Sequence, residues 1–87
     1  ESNYVNLLMP LSIKIKYKQK NISDLDNLKK VLYKISLIDD YTLEEINVNY
    51  SFFKIYYYGN PKKLKTELFK FGYSLEDKQG QWEIYYK

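Results

Sequence analysis

Eighty-seven residues with a net charge of +3 make one small domain. The chain has neither cysteine nor histidine, which excludes disulfides and thiolate metal sites and removes the commonest general base and metal ligand. All 14 basic residues are lysine, so no guanidinium fork can grip phosphate or carboxylate, and each cation acts as a flexible point charge. No apolar run is long enough to span a bilayer, so no membrane insertion is expected. The sequence starts at Glu1 without a secretory signal, which says nothing about compartment. Lys, Asn, Ile and Tyr are abundant, a usage that also follows from A/T-rich codons.

Residues 1–10 form an N-terminal arm or an extra strand, with Pro10 better placed at a strand start than inside one. From Leu11, the residues Leu11, Ile13, Ile15 and Tyr17 alternate with Ser12, Lys14, Lys16 and Lys18. That period of two predicts a strand with one buried face. Ser23 is the expected N-cap of a helix over 24–36, with Asp24 and Asp26 in its first turn and Asp26 at the capping-box position. Leu25, Leu28, Leu32 and Ile35 give the apolar stripe. A second strand is predicted over 41–48, with Glu44, Ile46 and Val48 sharing a parity. Asn49, Tyr50 and Ser51 then turn the chain.

The third strand, through Gly59, is the densest aromatic run: Phe53, Ile55 and Tyr57 on one face, Phe52, Lys54, Tyr56 and Tyr58 on the other. Asn60 and Pro61 are a helix start. Leu64, Leu68 and Phe71 face inward, and Gly72 stops the helix. A strand from Tyr73 turns at 77–80 and returns with Trp82, Ile84 and Tyr86 on one side.

This order, strand–helix–strand twice with a final hairpin, predicts an α+β sandwich over 11–87. It has the ferredoxin-like βαββαβ arrangement: an antiparallel sheet with both helices on one face. Right-handed crossovers place the first and third strands centrally and the second and fourth outside. Leu11, Ile46, Val48 and Phe71 are expected in the core with the other inward positions.

The opposite sheet face carries the candidate binding residues Lys14, Lys16, Phe52, Lys54, Tyr56, Tyr58 and Tyr85. Aromatic platforms flanked by lysine suit single-stranded nucleic acid. They equally suit cross-strand packing or a contact with a protein partner or neighbouring domain. Lys54, Tyr56 and Tyr58 fall at the spacing of the basic and aromatic positions in the third strand of the RNA-recognition motif. That motif's glycines are replaced by Ile55 and Tyr57, and Lys14 and Lys16 stand where it has a first-strand aromatic. No nucleophile–base pair can be assembled. The pairs Asp39-Asp40, Glu44-Glu45 and Glu76-Asp77 read as solvated charges at turns or strand ends. No enzyme activity, metal or cofactor is expected.

The spacing of Tyr58-Gly59, Leu64, Leu68, Gly72, Leu75 and Trp82 resembles the C-terminal part of an uncharacterised proteobacterial envelope protein family. The stripe Leu25, Leu28, Leu32 and Ile35 and the apolar Ile38 fit its pattern as well. The Trp often found at that family's first helix is replaced here by Leu25 or Leu28. The resemblance implies a secreted or periplasmic, non-catalytic domain of a longer protein, and brings no active-site residues. The expected function is therefore a structural or interaction domain working through its open sheet face, with nucleic-acid binding as the alternative.

Overall fold

The computed structural model describes residues 9–86. Most of the expected N-terminal arm lies outside these residues; Met9 and Pro10 belong to no regular element. The elements are β1 (Leu11–Tyr17), α1 (Ile22–Lys34), β2 (Ile38–Ile46), β3 (Ser51–Tyr57), α2 (Pro61–Lys70), β4 (Tyr73–Lys78) and β5 (Gln81–Tyr86). The protein is α+β: five strands in one sheet, ordered β2-β3-β1-β5-β4, with two helices. The strict alternation in β1 and β3 buries Ile13, Ile15, Tyr17, Phe53, Ile55 and Tyr57 against Leu25, Leu28, Leu32, Leu64 and Leu68. Both helices therefore cover the same sheet face.

The all-antiparallel sheet expected from the sequence is corrected at one pairing. β1 and β3 pair antiparallel, with Ile15 opposite Phe53. β1 and β5 pair in parallel, with Ile15 beside Trp82 and Tyr17 beside Ile84. The two-residue turn Gln79-Gly80 causes this, with φ of 54° and 89°. Positive φ at both residues matches the right-handed strand twist and folds the hairpin tightly. The second crossover lands on β4 at the far edge, and β5 returns into the gap beside β1. The chemistry of the two strands agrees with their places: β5 brings Trp82 and Ile84, whereas β4 ends in Glu76, Asp77 and Lys78, charges that suit an edge.

β2 departs from the predicted strand. It begins at Ile38 and shifts register between Ile38 and Asp40 and again between Leu43 and Glu45. Each shift inserts an unpaired residue and resets parity. Tyr41 and Leu43 consequently pack on the core, while Ile46 and Val48 are 56% and 88% exposed. Leu11 at the outer end of β1 and Phe71 at the C-cap of α2 are also exposed, at 48% and 38%.

Asn21, not Ser23, caps α1, its side chain accepting from the Asp24 N–H at 2.9 Å. Asp24 takes the place expected for Asp26 and reaches back to the Lys20 N–H at 2.9 Å. Asn caps a helix as well as Ser, so the helix starts two residues earlier. α2 starts as expected, with Asn60 accepting from the Lys63 N–H and Pro61 first. At the end of β1, buried Ser51 donates to Gln19, whose amide donates to the Asn47 carbonyl at 2.6 Å. This polar clip ties β1 to the β2–β3 turn.

Candidate interaction face

Because Ile13, Ile15, Phe53 and Ile55 point to the helices, strand alternation turns Ser12, Lys14, Lys16, Phe52, Lys54 and Tyr56 to the other side. The rings there are not free platforms. The Lys14 ammonium lies 5.1 Å from the centre of the Phe52 ring and 3.7 Å from Glu44. Lys16 lies over Tyr50 at 4.7 Å, and Tyr50 meets Phe52 edge to face at 5.5 Å. Lys54 covers Tyr56 at 5.5 Å. At the β4–β5 side, Lys78 lies over Tyr85 at 5.0 Å, and the Tyr85 hydroxyl donates to Glu83. Each ammonium–ring contact contributes about 0.5–1 kcal/mol at such exposed sites.

The register explains part of this pattern. Lys14 and Lys54 stand directly opposite each other in the β1–β3 ladder, a like-charge pairing that costs stability. Lys14 meets Glu44 and Lys54 turns to Tyr56, which disperses both charges. Tyr58 lies just past β3, half-buried, its N–H donating to the Leu37 carbonyl at 2.9 Å.

The candidate residues thus gather into three clusters, with Tyr58 in none of them. Lys14, Lys16 and Phe52 join Tyr50 and Glu44, and Lys54 pairs with Tyr56. Tyr85 forms a separate patch with Glu83 and Lys78. Tyr50 and Lys78 were read as turn residues in the sequence, so their part in the face was missed. Period-two extension of the flanking strands by one or two residues would have found both.

A second polar cluster lies at the C-terminal end of β1, on the helix side of the sheet. Tyr17, Asp24, Asn27, Tyr85 and Tyr86 are among the residues lining an open cleft of about 480 Å³. The Tyr17 hydroxyl donates to Asp24 Oδ1 at 2.6 Å, and the Lys20 N–H to Oδ2. Burial first, and then the hydrogen bond to Asp24, push the Tyr17 hydroxyl far above the ordinary tyrosine range. The hydrogen bond ties the end of β1 to the first turn of α1. Among the described residues no group of three acidic, His or Cys side chains could hold a metal ion.

No protein family, curated protein or solved structure matches the chain.

Proposed function

We propose that this domain is a non-catalytic interaction module whose open sheet face contacts a protein partner or a neighbouring domain. The observation that carries the reading is the row of half-buried rings, Tyr50, Phe52 and Tyr56, laid along β3, with the ammonium groups of Lys14 and Lys16 from β1 and of Lys54 from β3 itself over them. Such a surface offers apolar area with little ordering cost, because the lysines already lie along it. An extracytoplasmic setting is part of the proposal and rests on the resemblance of the sequence pattern alone.

Single-stranded nucleic acid is the less favoured occupant, because bases would have to displace the ammonium groups from Phe52, Tyr50 and Tyr56 before stacking. Two measurements test the proposal. Sedimentation of the domain alone and joined to the sequence that flanks it in its gene should show association or compaction that Phe52→Glu abolishes. Titration with labelled single-stranded RNA at low salt should show no binding. Salt-sensitive RNA binding lost in Tyr56→Ala/Tyr58→Ala would overturn the protein-contact reading in favour of nucleic acid.

A further inference from the structure

The helix layer carries the charge of this protein unevenly. α1 and α2 hold seven lysines against Asp24, Asp26 and Glu67, a net +4. The other described residues hold six lysines against seven carboxylates, a net −1. Local pairing does not cancel the excess. Asp26 meets Lys29 at 4.0 Å and Glu67 meets Lys70 at 3.0 Å, while Asp24 is taken up by Tyr17 and the Lys20 N–H. Among the described residues, Lys30 and Lys34 on α1 and Lys62, Lys63 and Lys65 on α2 have no carboxylate in bridging range.

The apolar stripes decide where these lysines point. Leu25, Leu28 and Leu32 are buried, so the outward side of α1 carries Lys30, Tyr33 and Lys34. Leu64 and Leu68 are buried, so the outward side of α2 carries Lys62 and Lys65. Tyr33 is 90% exposed. It stands among Lys29, Lys30 and Lys34 at a shallow hollow of about 360 Å³ shared with Tyr41. The fold needs no aromatic ring there.

We propose that the outer surface of the helix layer docks on an anionic lipid bilayer, the lysines over headgroup phosphates and the Tyr33 ring at the headgroup level. Charge complementarity carries the choice of occupant. A headgroup layer asks for positive charge without fixed geometry, which lysine supplies, and an exposed tyrosine fits the polar–apolar boundary. Duplex DNA is a poorer fit. Both helices lie flat on one sheet face, so neither projects into a groove, and the chain has no arginine to read base edges. The proposal does not depend on the open sheet face, which lies on the other side of the molecule.

The test is co-sedimentation of the 87-residue chain with vesicles of phosphatidylcholine alone and of phosphatidylcholine mixed with phosphatidylglycerol, at low and moderate salt. Binding is expected to the mixed vesicles only, weakening with salt. Each lysine removed should weaken it roughly fivefold. The variant Lys30→Gln/Lys34→Gln/Lys62→Gln/Lys65→Gln should therefore lose at least about a hundredfold while melting as the parent does. Tyr33→Ala should weaken binding and keep its salt dependence; Phe52→Ala should leave it unchanged. Absence of binding to mixed vesicles at low salt, unaltered binding by the quadruple variant, or displacement from vesicles by a short DNA duplex would each overturn the proposal.

Discussion

Asp24 serves three neighbours at once. Its N–H closes the Asn21 cap, one carboxylate oxygen receives the Tyr17 hydroxyl, and the other receives the Lys20 N–H. Tyr17 is 1% exposed and meets the Tyr73 ring edge to face at 6.1 Å. Tyr17→Phe removes the hydroxyl together with its need for a partner and should cost about 1 kcal/mol. Asp24→Ala strands the hydroxyl in a buried site and opens the helix start, and should cost about 1–3 kcal/mol. In urea denaturation the double variant should be less destabilised than the two single effects summed. The same tyrosines set the alkaline limit of the fold. Burial raises the folded pKa of Tyr17, Tyr57 and Tyr73 above 10.0. The folded state thus holds these protons more tightly than the unfolded state. Their contribution is fully present below the ordinary tyrosine value and is lost as pH rises through the folded values. Melting temperature should be level to about pH 9 and fall beyond about pH 10, and the fall should be shallower in Tyr17→Phe.

At the scale of elements, the β4–β5 hairpin decides the character of the sheet. Gly80 adopts φ +89°, and a Cβ placed there meets nothing within 4 Å. Gly80→Ala therefore isolates the backbone term, about 1–2 kcal/mol for an L-residue in the left-handed region. Chemical denaturation should show that loss, with the slope of the transition unchanged. An effect near zero would mean that the turn relaxes to another type and that β5 is not held in place by it. β2 shows the complementary case. Its second register shift leaves Glu44 unpaired beside Lys14, and Ile46, although opposite buried Ser51, is exposed at the end of this edge strand. An edge strand broken in this way, and carrying Asp39, Asp40, Glu44 and Glu45, is a poor template for a further strand.

For the molecule as a whole, one contiguous core joins both helices to one face of all the central strands. Ile15 and Leu32 are 0% and 1% exposed in that core. A carboxylate at either place has no partner and no water. Ile15→Asp and Leu32→Asp should each abolish cooperative melting followed by circular dichroism, whereas Lys54→Ala on the open face should shift the midpoint by only a few degrees.

Much of this fold was legible in the chain. Alternation in Leu11–Tyr17 and Ser51–Tyr57 separated Ile15 and Phe53 from Lys16 and Phe52, so the two faces of these strands followed without coordinates, though the part of Tyr50 and Lys78 did not. Asn60-Pro61 announced α2. Side-chain period is a property of one strand and is written locally in it. Which strand lies beside which is not, because pairing joins residues far apart in the chain. Only the tertiary structure placed β5 between β1 and β4, reset the parity of β2, and brought Asp24 to Tyr17. It also showed that Tyr50, Phe52, Tyr56 and Tyr85 already have a lysine over them. A hydrogen bond across a fold and a cation above a ring depend on distances between elements, and no spacing within a single element records them.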